Sequence, residues 1–159
     1  MAEGILAGEP SPYIEGDYAL RVVRMRGRVT GAQHEIALAV FTWHGRRYLV
    51  SPRAERNWAR NLCADGRCVL MSRDGAEQCR AERVGDPDVA AEVAARYVEK
   101  INAPWATAQF PFQADTPAED IAAVSDLFSV FILRADEDNP NRAPTERPGV
   151  TPRAGSAGR

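Results

Sequence analysis

The chain is poor in the residues that metal sites and nucleophilic enzymes are built from. Its 159 residues include three cysteines and two histidines. Cys63, Cys68 and Cys79 fit no zinc-ligand spacing, and His34 and His44 form no constellation with them, so no metal site is expected. No Gly-x-Gly-x-x-Gly follows a strand-like run, which excludes a Rossmann dinucleotide site, and there is no P-loop. No apolar run reaches the length of a membrane span. Residues 1–16 lack the basic start and continuous apolar stretch of a signal peptide, so a cytoplasmic location is expected. A formal charge of −2 argues against a general nucleic-acid binder. The chain also carries no recognisable catalytic triad or paired acid and base.

What remains is an ordinary globular composition, with a length that suits one domain and a real core. Residues 1–16, punctuated by Gly4, Gly8, Pro10, Pro12 and Gly16, read as a flexible arm. Residues 17–134 read as the folded domain, mainly β with α. Tyr18–Arg26 is the first strand. Residues 34–43 and 46–51 form a hairpin around His44-Gly45, with Gly supplying the positive φ. In that register Phe41 faces Tyr48, Ala39 faces Val50, and Val40 faces Leu49. Both faces are apolar, as in a small closed barrel packed against helices or a partner. Two covers are open: a symmetric homodimer, or the helix of residues 87–101.

Residues 56–64 read as a short helix with Trp58 and Leu62 on one face and Gly66 at the position after its end. A second hairpin follows over residues 67–72 and 76–84. Closed by Asp74-Gly75, it puts Leu70 opposite Cys79 and leaves Cys68 diagonal to Cys79. Diagonal neighbours lie about 7–8 Å apart, which predicts free, mostly buried thiols. Asp86-Pro87 starts a helix, Asp as cap and Pro at the first helical position. Val89, Val93, Tyr97 and Ile101 repeat along its apolar stripe. An aromatic loop carries Trp105, Phe110 and Phe112, either as packing or as a lid over a flat ring. Thr116-Pro-Ala-Glu119 reads as a capping box for another short helix, and residues 127–133 as the sixth strand. Residues 135–159, with Pro140, Pro144, Pro148 and Pro152 at even spacing, balanced charges and no large apolar residue, read as a disordered Pro-rich tail.

The segments most suggestive of function are Gly27-Arg28-Val29-Thr30-Gly31 and residues 51–62. The first is a Gly-bounded turn between apolar runs. The second is basic and amide-rich and opens a helix. Together they offer backbone N–H groups, a hydroxyl and the guanidiniums of Arg28, Arg53, Arg56 and Arg60, which suits a phosphate-bearing ligand. Asn57 and Asn61 can hold a ligand carbonyl or cap backbone, and Trp58 reads first as a core anchor.

These segments resemble the deazaflavin-dependent nitroreductase family, small split β-barrel oxidoreductases that use coenzyme F-420. There a Gly-Arg-Lys-Ser-Gly-like turn leads into a hairpin, and a Trp-x-x-Asn-Leu helix start follows. Here the turn is Gly27–Gly31 and the helix start is Trp58-Ala59-Arg60-Asn61-Leu62. The family's turn lysine is Val29, and the arginine that often follows falls at His34. The resemblance implies a six-stranded split β-barrel (FMN-binding split barrel-like) with inserted helices. It implies that Arg28, Thr30, Gly31, His34, Ser51, Arg53, Arg56, Asn57, Trp58, Arg60 and Asn61 surround coenzyme F-420, or alternatively FMN. Trp105, Phe110 and Phe112 become candidates for the substrate side. The implied activity is hydride transfer from the reduced cofactor to a small electron acceptor such as a quinone, nitroaromatic or activated alkene. The alternative is a non-catalytic split barrel that binds F-420, FMN, a tetrapyrrole or an apolar small molecule.

Overall fold

A computed structural model describes residues 2–101 and 103–136. The Pro-spaced segment from residue 137 lies outside them. Six antiparallel strands close into a barrel: β1 (Tyr18–Arg26), β2 (Gln33–Trp43), β3 (Arg46–Ser51), β4 (Arg67–Ser72), β5 (Gly75–Arg83) and β6 (Ser129–Ala135). Their order around the wall is β1-β2-β3-β6-β5-β4, so the last strand enters between β3 and β5. The helices α1 (Ala2–Ala7), α2 (Asn57–Ala64), α3 (Pro87–Lys100), α4 (Pro104–Thr107) and α5 (Ala118–Ala123) precede or interrupt the strands. This is the six-stranded split barrel with inserted helices that the sequence predicts. Among the described residues no helix is long and apolar enough to cross a membrane.

Alternation along the strands sorts the apolar residues into two cores. The interior holds Val23, Met25, Val40, Leu49, Leu70, Cys79, Phe131 and Leu133, and α2 adds Trp58, Ala59 and Leu62. The outer core sets Phe41, Tyr48, Val50, Val130 and Ile132 against Ala90, Val93, Ala94 and Val98 of α3. The β2–β3 hairpin therefore serves both, with Val40 and Leu49 inward and Phe41 and Tyr48 outward in direct register. Its outer face is covered by α3 of the same chain. That helix starts as its sequence dictates, with the Asp86 carboxylate accepting from Asp88 N at 2.9 Å and Pro87 in first place.

Several local expectations are corrected. The β4–β5 turn is Arg73-Asp74, not Asp74-Gly75, because Ser72 pairs with Gly75 and Met71 with Ala76. Gly75 takes the strained φ of 149°, and the Ser72 hydroxyl accepts from Asp74 N. Each strand keeps its faces, but every opposite partner moves by two, so Cys68 stands directly across from Cys79. Both remain free and buried, while Cys63 is free and exposed. Gly66 is not a left-handed helix terminator. It is needed for close approach, since a Cβ there would fall 2.3 Å from Ala81 O. The capping box at residue 116 does not form: Pro117 takes the cap position, and the Thr116 hydroxyl accepts from Gln113 N. In the β2–β3 turn His44 shares the positive φ with Gly45, at 53° and 74°. Ala135 belongs to β6, and Asp136 N donates to Gln78 O, so the barrel extends past residue 134.

The first residues also have more structure than a loose arm requires. Past α1, the Tyr13 ring lies between two guanidiniums, 4.5 Å from Arg21 and 4.9 Å from Arg47. Arg21 is buried and donates to Ser11 O and Leu20 O. Arg47 makes a bidentate pair with Glu77, at 2.8 and 2.6 Å, which holds the guanidinium protonated. Glu15 then accepts from His44 N and Gly45 N.

Candidate functional site

The turn between β1 and β2 is shaped by its own backbone. Gly27 N donates to Ala32 O at 2.7 Å, and Gly31 N donates to Gly27 O at 3.0 Å. Gly31 takes a φ of 77°, which favours glycine. The Thr30 hydroxyl accepts from Ala32 N. The Gly31 amide, expected to face a ligand, is thus consumed by the turn. The amides of Val29 and Thr30 have no acceptor among the described residues. At Gly27 a Cβ would fall 2.5 Å from His34 Nε2, so the imidazole lies against bare backbone.

Arg28 ties this turn to α2. Its Nη1 donates to Asn61 Oδ1 at 2.7 Å and to Asn57 O at 3.4 Å, and its Nη2 to Asn57 Oδ1 at 3.5 Å. Its backbone N–H also donates to Asn61 Oδ1, at 3.2 Å. A guanidinium has five N–H donors. These bonds use three, leaving Nε and one Nη2 hydrogen. Asn61 is 6 % exposed, so its carbonyl gives Arg28 a rigid seat.

Between this turn, the start of β2 and the start of α2 lies a cleft of about 430 Å³. Met25, Ile36 and Trp58 give it apolar walls, and Arg28, Thr30, His34, Asn57 and Asn61 give it polar ones. Glu35 also lines it and is paired with Arg24 at 2.9 Å. The N-terminus of α2 opens beside it, with Arg56 at the N-cap offering no side-chain bond to the first amides. Those unsatisfied N–H groups and the helix dipole favour an anion. Trp58 is also the core anchor expected, 7 % exposed and 6.0 Å from the Phe131 ring.

Six of the sequence-predicted residues therefore meet at one cleft: Arg28, Thr30, His34, Asn57, Trp58 and Asn61. Gly31 shapes the turn behind it. The other four lie elsewhere. Ser51 is fully buried and donates from Oγ to Arg53 O at 2.7 Å. Arg53 is exposed next to Glu55 and lines a separate 140 Å³ hollow with Gln109 and Phe110. Arg56 donates to Gln109 Oε1. Arg60 is exposed and its side chain has no partner among the described residues. The expected guanidinium rim is thus divided, because the start of α2 points successive side chains in different directions.

The aromatic loop divides as well. Phe110 and Phe112 are 8 % and 6 % exposed, part of the outer core. They form a chain of tilted and edge-to-face rings from Tyr97 to Phe110, Phe112 and Phe128, at 6.3, 5.4 and 5.5 Å. Trp105 is 74 % exposed and lies outside both cores. None of the three lines the cleft. Sequence reasoning missed Met25, Gly27, Val29, Glu35 and Ile36 as cleft residues. Alternation around Val23 marks Met25 as inward, and only the turn's fold reveals the rest.

No family model matches the chain, and no curated protein matches it. Among solved structures it is similar to the conserved hypothetical protein Rv2991 from Mycobacterium tuberculosis. The identity is 18%, over 74% of this chain and 72% of that one, with a TM-score of 0.53. It is also similar to Atu2129 from Agrobacterium tumefaciens, a protein of unknown function, at 18% identity and a TM-score of 0.54. That match covers 80% of this chain and 53% of the other, about half its length. An F420-H2 dependent reductase overlaps more loosely, at 15% identity over 78% of this chain and 99% of that one, with a TM-score of 0.42. At such identities a likeness speaks to the fold and not to the ligand.

Proposed function

We propose that the protein is a split-barrel oxidoreductase that holds coenzyme F-420, or alternatively FMN, in the cleft between the β1–β2 turn and α2. One observation carries this reading: two unpartnered turn amides, a helix N-terminus and a seated arginine with two spare donors meet beside an apolar wall. Such a set suits a planar ring with a phosphate-bearing tail, and the volume lies within the range of small-ligand pockets. Val29 N, Thr30 N, Arg28 and His34 hold the phosphate. Trp58, Ile36 and Met25 pack against the ring and exclude water. When bound, the cofactor supplies the hydride for a small organic acceptor, and the protein's part is orientation. The bonds that Arg28 donates to Asn61 and Asn57 fix it before any ligand arrives, which lowers the ordering cost of binding.

A second reading, a carrier without turnover, is favoured by Val29. That residue is 84 % exposed where the resembling family has a lysine, so one phosphate-side cation is missing. Titration with oxidised F-420 and with FMN, followed by fluorescence, tests both. Arg28→Ala is expected to weaken binding by about 1–3 kcal/mol through loss of charged hydrogen bonds. Arg56→Ala, bonded to Gln109 instead, is expected to leave affinity unchanged. Binding without reduction of quinones or nitroaromatics selects the carrier. No binding of either cofactor removes both.

A further inference from the structure

We propose that Cys68 and Cys79 form a cross-strand thiol pair that closes to a disulfide inside the barrel under oxidising conditions, fastening β4 to β5 behind the cleft.

The register carries this. Cys68 and Cys79 are direct partners on neighbouring antiparallel strands, so both side chains leave the sheet on the same face. Directly opposed residues have Cα atoms about 4.5–5.5 Å apart, whichever class of pair they form. A disulfide accepts Cα separations of about 4.4–6.8 Å. No backbone rearrangement is therefore required, only rotation of two side chains. Both residues belong to the interior core, at 4 % and 1 % exposure, and nothing in the register separates them. On its other edge Cys68 is opposite Met25, a wall of the cleft. The pair thus sits one strand behind the candidate site.

A charged cluster stands beside Cys79. Arg47 Nη2 lies 4.0 Å from Cys79 Sγ, and Tyr13 stacks on the same guanidinium. The Glu77 carboxylate paired with that guanidinium opposes ionisation of both thiols more than Arg47 favours it, so neither is activated as it stands. At rest both groups are thiols. Burial pushes Cys68 up to about 12 and raises Cys79 further still above the usual thiol range, so closure waits for local opening. The reaction breaks two S–H bonds and forms one S–S bond. Two electrons and two protons pass to an oxidant, and with diamide the N=N bond is reduced to a hydrazine.

The test uses the Cys63→Ser chain, which loses the exposed thiol and keeps the pair. The folded protein is treated with diamide, remaining thiols are alkylated, and trypsin is added. Cleavage after Arg67, Arg73 and Arg80 separates residues 68–73 from residues 74–80. The expected product is these two peptides joined, lighter than their sum by two hydrogens, from a chain that runs as a monomer on a non-reducing gel. A reductant should return both peptides in alkylatable form. Recovery of both peptides alkylated and unjoined after exhaustive treatment overturns the proposal. So does joining that appears only in denaturant, because the native register would then not be what brings the thiols together.

Discussion

The two main helical covers of this barrel start from similar apolar stripes and end differently. α3 runs for 14 residues and closes the outer strand faces, with Val93, Phe128 and Ile121 almost fully removed from solvent. α2 runs for 8 residues. It buries Trp58, Ala59 and Leu62, yet its first turn meets a hollow rather than another apolar element. Asn57 and Asn61 face the turn there, through Arg28. The α3 cover leaves a hollow of about 450 Å³ at its C-terminal end, beside Val98 and Ile101, and no guanidinium or imidazole lines it. The shorter α2 cover leaves amides and polar side chains at an edge where a ligand can meet them.

The largest test of this contrast is Phe128→Ala. The ring is fully buried on the α3 side, so its loss should cost about 3–5 kcal/mol in denaturant unfolding. Affinity of the folded protein for the cleft ligand should stay the same. A parallel fall in affinity would erase the distinction between the two sides. Next is Asn61→Ala, which strips two donors of Arg28 of their acceptor. About 1.5–3 kcal/mol of stability should go, and ligand affinity should go with it, because the seat of Arg28 is lost. Stability loss with intact affinity would show that Arg28 needs no seat.

Gly66→Ala probes how α2 is anchored at its far end. The new Cβ meets the Ala81 carbonyl, which is backbone and cannot swing away. A loss of about 1–3 kcal/mol in thermal unfolding is expected, as for overpacked sites. An unchanged melting temperature would mean that the β5 backbone yields freely there. The smallest effect is alkaline and belongs to α3. Burial pushes the Tyr97 phenol from 10.0 up to about 12. Between those values the unfolded chain has lost the proton and the native chain has kept it. Stability from this group is therefore fully present below about pH 10 and drains away as pH rises toward 12. Tyr97→Phe should show a shallower decline over that window than the parent chain. Identical slopes would place the phenol in contact with water.

The sequence was easiest to read where periodicity and packing agree. The β1 and β3 boundaries follow from alternation, and the β2–β3 register follows because His44-Gly45 is a strong turn signal. The β4–β5 register was not legible, since Asp74-Gly75 carries the same signal but Gly75 is spent as a strained strand residue after the turn. The candidate site was half legible. Arg28, Asn57 and Asn61 could be named from residue type, but their mutual bonds need the turn's path. Arg53 and Arg56 looked equivalent to Arg28 because charge alone does not say which way a side chain leaves a helix start. Packing and lid could not be told apart for Phe110 and Phe112, because a Pro-broken aromatic run reads the same whether it folds inward or outward.

The placement of β6 has a consequence for how the chain is made. It pairs with β3 on one side and β5 on the other, yet it is synthesised after every other strand. Until residue 135 leaves the ribosome, two strands wait with open edges and an apolar interior unroofed. The wall is therefore sealed from the C-terminal side, and a chain cut before Ser129 would keep most of its sequence and still present those two edges to any neighbour able to add a strand.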